Sequence, residues 1–280
     1  MTNRFTFRTG QLFVLVAVVF LVFACWGAFS VQGNASLIQI EQAAEIGADE
    51  ITDFQRAAVE TTLFFQEQDV LLKNPVTIVL TRGRAAFIAE SARRFKVSEF
   101  EVNRLARGVD ALAGNGLIVI NVDAVPTARQ RTFLLAHELT HHYQRQLAGL
   151  QAQQVKWMLE GTAEAVGAAV VSRQGFFTVQ QYKDNWFRGI SQAGSKPALG
   201  MLRRSNDWAT ALSRYGSGLT YKTAGLGVLM LMEQQGQRSV VAYFEQLGSG
   251  VTADSAFESV FGLPLADFEL QLADITRKVS

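Results

Sequence analysis

All three histidines of the chain fall within six residues, in the run His137, Glu138, Leu139, Thr140, His141, His142. On a helix, residues four apart lie one turn above each other on the same face, so His137 and His141 can hold one zinc ion between their imidazoles. Glu138 then lies beside the metal, placed to take a proton from a bound water. The chemistry this pattern implies is metal-assisted hydrolysis. The plainer reading, a solvated helix face whose histidines touch nothing, leaves the clustering of every histidine in one turn and a half unexplained.

A catalytic zinc site takes three protein ligands and leaves the fourth position to water. No further histidine exists downstream, which excludes the metzincin pattern of a third His. His142 is the only spare, and it points about 100° around the helix from His141, away from the same cage. The third ligand must therefore be a carboxylate. Downstream stands Trp157, Met158, Leu159, Glu160, Gly161, Thr162, Ala163, Glu164, with eighteen residues between His141 and Glu160.

With these motifs the chain resembles the gluzincin zinc metallopeptidases, whose signature is His-Glu-x-x-His, about eighteen residues, then Glu-Gly-x-Ala on the next helix. That arrangement is the zinc core of the aminopeptidase N-like branch and of the peptidase MA-like group. The resemblance is close over residues 117–170 and one of layout elsewhere. It implies Glu160 as the third zinc ligand, beside His137 and His141. It implies Glu164, one turn later, as the carboxylate set against the first motif histidine to fix its tautomer and raise its basicity. It also implies a tyrosine that donates to the oxyanion of the tetrahedral intermediate. Tyr221, in the Tyr-x-x-Ala segment 221–224, fits that pattern, and Tyr215 lies close enough in sequence to compete.

These residues need elements to hold them. Residues 117–122 form an apolar, β-branched run after the turn residues 114–116 and read as a strand. Pro126 and Thr127 then precede a helical pattern with apolar positions at Phe133, Leu134, Ala136 and Leu139. Strand, short connection and motif helix is the gluzincin order, with the strand bordering the substrate cleft, where a peptide could add to its edge. From Gln153 to about Val171 a second helix carries Glu160 and Glu164, and its alanines permit close packing. Trp157 and Leu159 read as packing at the start of that helix, and Leu139 and Thr140 as filling between helix and sheet.

Elsewhere residues 34–72 read as helical, with Thr52 and Gln55 as a capping box. Residues 76–80 read as a strand, 85–113 as mostly helix and loop, and 176–214 as mixed, with Trp186 and Trp208 in the core or at a pocket wall. The tail 220–276 reads as helical, broken near Gly236, Gly248 to Gly250, and Gly262 to Pro264. No repeat or low-complexity stretch interrupts the chain.

Residues 12–29 carry no charge and are long enough to cross a bilayer, behind Arg4 and Arg8. The expectation is a single-pass anchor in the cell membrane, with residues 1–11 cytoplasmic and the catalytic part outside. A cleaved signal peptide giving a secreted protein, or lipid attachment at Cys25, are the alternatives. Cys25 is the one cysteine of the chain, so the exported part has no internal disulfide. A net charge of +1 without dense basic clusters argues against a nucleic-acid partner. Arg93 with Arg94, and Arg203 with Arg204, read as solvated surface.

The resulting expectation is an α+β fold: a helical region over 30–74, then a zincin-like domain over 75–280 with a small mixed sheet beside the motif helix and a mainly helical carboxyl half. One Zn2+ per chain and a peptide or protein substrate complete it, with oligomeric state open. The alternative from another class is a non-catalytic, zinc-containing binding or assembly protein of the envelope. The retained Glu138 favours the peptidase.

Overall fold

The structure, a computed structural model, describes residues 37–105 and 109–277. The expected anchor over 12–29 and Cys25 lie outside the described residues. Among the described residues no helix is long and apolar enough to cross a membrane.

The fold is α+β, with one small mixed sheet and a mainly helical carboxyl half. Strands β1 (Ile38–Gln42), β2 (Val76–Thr81), β3 (Ala111–Gly114) and β4 (Leu117–Asn121) lie in the order β1-β2-β4-β3. β1 and β4 run parallel to β2, and β3 runs antiparallel to β4 with Leu112 opposite Val119. Alternation sorts the side chains: Ile78, Leu80, Ile118 and Ile120 face the main core, while Val79 and Val119 face a smaller one. Helix α1 (Ala48–Gln66) covers the first face. Helices α2 (Arg84–Phe95) and α3 (Glu99–Leu105) cover the second with Phe87, Ile88 and Val102.

Four sequence readings are corrected here. Within the region expected to be helical over 30–74, Ile38–Gln42 form β1, whose alternating Ile38-Gln39-Ile40-Glu41 suits a strand, and α1 starts only at Ala48. Its N-terminus is closed by Gly47, whose N–H donates to Glu50 Oε2 at 2.9 Å. Thr52, expected to cap it, lies inside and donates to the Ala48 carbonyl at 2.8 Å. The strand over 117–122 is not the edge: β2 and β3 occupy both of its sides. Among the described residues the edges are β1 and β3, and β3 falls in a segment read as helix and loop. Asn115 and Gly116, with φ of 43° and 77°, form the two-residue turn that folds β3 back onto β4.

The motif helix α4 (Ala128–Ala148) opens on a reciprocal cap, with Thr127 accepting from the Gln130 N–H and Gln130 Oε1 accepting from the Thr127 N–H. Buried Arg131 ties it to α1 by donating twice to Asp53 Oδ2, at 2.7 and 3.0 Å. A short 3-10 turn (Gly149–Gln153) reverses the chain into α5 (Lys156–Arg173), which is buried at every position from Trp157 to Val171. Such a helix must be thin, and Gly161 and Gly167 make it so. A Cβ at Gly167 would stand 3.2 Å from Phe133 of α4, and one at Gly161 would meet the backbone of α7 (Ser205–Gln235).

Helix α6 (Val179–Gln192) precedes α7, which is broken at Gly216 (φ 81°). Helices α8 (Arg238–Gly248), α9 (Ala253–Phe261) and α10 (Leu265–Arg277) follow, separated at the expected glycines. Trp157 packs as anticipated, its ring stacked on Phe268 and its indole N–H donating to Glu269 Oε1 at 2.9 Å. Arg203 departs from the surface reading: it grips the same buried Glu269 through both carboxylate oxygens, each at 2.7 Å.

Candidate metal centre

Helices α4 and α5 bring His137, His141 and Glu160 to one point. His137 Nε2 and His141 Nε2 are 3.2 Å apart, and Glu160 Oε2 lies 3.4 Å from the first and 3.5 Å from the second. Bonds of about 2.0–2.2 Å in tetrahedral geometry place ligand atoms about 3.3–3.6 Å apart, so a zinc-sized ion fits this triangle. The buried group of two imidazoles and one carboxylate can hold a metal ion.

The surrounding hydrogen bonds point to the same use. His137 Nδ1 lies 3.1 Å from Glu164 Oε1, and His141 Nδ1 lies 2.8 Å from Gln144 Oε1. Gln144 is oriented in turn by donating its Nε2 proton to the Leu159 carbonyl at 2.8 Å. With each Nδ1–H given to these acceptors, both Nε2 lone pairs face the Glu160 carboxylate. Three acceptors that converge with no donor between them repel one another unless a cation or a proton fills the centre.

The titration behaviour follows from this crowding. Burial works against the charge on His137, but Glu160 and Glu164 outweigh it and hold its pKa well above the usual histidine value. Burial likewise opposes the charge on Glu160, while His141, His137 and Lys156 draw its pKa well below the usual carboxylate range. Lys156 Nζ sits 2.5 Å from Glu160 Oε1, leaving Oε2 turned toward the histidines.

Glu138 is half-buried and borders the clefts on both sides of the triangle. One cleft, of about 220 Å3, contains His141, Glu160 and the end of β3 at Ala113 and Gly114. The other, of about 170 Å3, contains His137, Glu164, Ala111 and Tyr221. The open edge of β3 thus runs past the triangle from one cleft to the other.

Of the two competing tyrosines, Tyr221 is the one at the site, its ring 6.0 Å from that of His137 and 5.1 Å from Trp208. Burial, with Glu160, Glu164 and Glu138 nearby, pushes its phenol pKa up, so it stays a proton donor. Tyr215, before the break at Gly216, lies in a separate hollow with Met201 and Asp207. His142 stands outside the triangle, as its helical angle requires, with Nε2 buried and unpartnered.

Gln144 and Lys156 escaped the sequence reading. Both stand at helical spacing from a donor residue, three after His141 and four before Glu160, and that spacing was the available signal.

Compared with protein-family models, with curated proteins and with solved structures, the chain finds no match in any of the three. The functional reading therefore stands on its own residues.

Proposed function

We propose that this protein is a zinc-dependent peptidase of the gluzincin kind, with His137, His141 and Glu160 holding the metal. The observation that carries the reading is the donor triangle with edges of 3.2, 3.4 and 3.5 Å and an acidic side chain, Glu138, beside it. A zinc ion there supplies a Lewis acid that polarises a carbonyl and acidifies water.

The protein's own groups do the rest. The β3 edge offers unpaired backbone N–H and C=O groups to an extended peptide and lays it across the triangle. Glu138 takes the proton from the attacking water and hands it to the leaving amine. Tyr221 donates its phenolic proton toward the substrate carbonyl oxygen as charge develops there. Glu164 and Gln144 keep His137 and His141 in the tautomer that presents Nε2. The uncharged run at 12–29 behind Arg4 and Arg8 supports a membrane-anchored chain whose peptidase part lies outside the cytoplasm.

The test pairs the full chain with its Glu138→Gln variant. Both should bind one zinc per chain, and only the parent should cleave a mixed peptide library. Loss of about 10²–10⁴-fold in turnover at unchanged zinc content is the expected result for a general base. Equal cleavage by the two, or a parent without stoichiometric metal, would sink the proposal.

A further inference from the structure

The two helices that supply the donor triangle both continue its face with a cation. One turn beyond His141 on α4 stands Arg145, and one turn before Glu160 on α5 stands Lys156. Because the chain reverses at Gly149–Gln153, both side chains come to the same end of the site. They line the 220 Å3 cleft that also holds Glu138, His141 and Glu160. The opposite end is bordered by Phe133, Leu134 and Tyr221. The groove over the metal position therefore carries two cations at one end, and at the other aromatic rings together with the carboxylates of Asp110 and Glu164.

The two cations are held differently. Lys156 is engaged by Glu160 Oε1 at 2.5 Å. Arg145 is exposed and has no ion-pair or hydrogen-bond partner for its guanidinium among the described residues. The carboxylates lining this cleft are Glu138 and Glu160, the first the proposed base and the second turned to the triangle and to Lys156. A free α-ammonium group entering here meets two cations and no spare carboxylate. A carboxylate side chain meets the free guanidinium, which can bind it through two parallel hydrogen bonds. Ala113 and Gly114 of β3, which border the same cleft, leave room for such a side chain.

Resting on the peptidase reading above, we propose that this cleft is a subsite for an acidic residue, with Arg145 as the residue that selects it. The substrate class is an extended peptide carrying Asp or Glu within a residue or two of the scissile bond, on the Arg145 side. Specificity of this kind acts on the charge of one side chain and leaves the chemistry at the metal unchanged.

The experiment uses the zinc-loaded full chain and three peptides identical except for Glu, Gln or Lys at positions flanking the bond it cleaves. Cleavage efficiency is read at low and high salt, and binding to the Glu138→Gln variant is read in parallel by fluorescence anisotropy. The Glu peptide should be favoured over the Gln peptide by about fivefold at low salt, and the gap should shrink as salt screens it. Arg145→Gln should erase the gap while leaving the Gln peptide and the zinc content as they were. Arg145→Lys should keep most of the preference, and Arg145→Glu should turn it toward the Lys peptide. Equal cleavage of all three peptides by the parent overturns the subsite and leaves the peptidase standing. Absence of both cleavage and binding for every peptide, with zinc in place, removes the peptidase reading and this inference with it.

Discussion

Gly161 and Ala224 touch through their backbones: a Cβ added at 161 would stand 2.7 Å from the Ala224 carbonyl carbon and closer still to its oxygen. Gly161 follows Glu160 on α5, and Ala224 lies three residues after Tyr221 on α7, so this contact sets the depth of a donor residue and of the tyrosine together. Gly225 repeats the arrangement from the other side, its missing side chain making room for Glu164 Cβ and Trp186. Gly161→Ala should push the helices apart, with a loss of about 1–3 kcal/mol in stability from overpacking. Zinc affinity should fall as Glu160 shifts. Denaturant unfolding and a competitive zinc titration on the same sample check both.

Glu164 lies behind His137 with its carboxylate 3.1 Å from Nδ1. Glu164→Gln keeps the shape and removes the charge that holds the imidazole. Zinc affinity should drop by about 10–100-fold while the fold is kept. Unchanged affinity in a chelator competition assay would show that Glu164 has no hold on the metal position.

Tyr221→Phe removes one hydroxyl and keeps the ring between His137 and Trp208. A donor to the developing oxyanion acts in the transition state, so kcat should fall by about 10²–10³ with little change in KM. Tyr215→Phe, in its separate hollow, should leave both constants as they are. A rise in KM at constant kcat for Tyr221→Phe would instead mark it as a substrate-binding group.

The pH dependence of metal binding has a definite sign. His137 in the metal-free protein has a pKa held well above the usual histidine value, with burial opposing and Glu160 and Glu164 prevailing. Its proton must leave before a cation can enter, so zinc affinity should rise with pH until that raised pKa is passed. The same raised pKa makes protonation of His137 stabilise the metal-free fold below the unfolded histidine value, a contribution lost as pH climbs through the folded one. Calorimetric titration in buffers of different ionisation enthalpy should register protons released on binding. An affinity flat across the acidic and neutral range would contradict this.

The donor triangle and its two helices were readable because their signals are local. His137, Glu138 and His141 lie within one and a quarter turns, and the small residues around Glu160 announce a helix that others must approach closely. β1 carried an alternating signal over Ile38 to Glu41 that the helical reading of 34–72 passed over, whereas β3 was not readable. β3 consists of Ala, Leu, Ala and Gly, none of them β-branched, and it is a strand because Asn115-Gly116 returns it to β4. The choice between Tyr215 and Tyr221 depends on the break at Gly216 and on how α7 crosses α5, which no spacing along the chain encodes. Arg203 looked like surface for the same reason, since its partner Glu269 is sixty-six residues away.

All three donor atoms come from one helical hairpin, α4 and α5, joined by a single short 3-10 turn. Closing a loop this short carries a small entropic penalty, and contacts this local form early in folding. The last of the three donors is Glu160, whereas Tyr221 and the helix that carries it come later in the chain. One local element thus gathers the donors, and the approach of α7 at Gly161 is what adds Tyr221 to them.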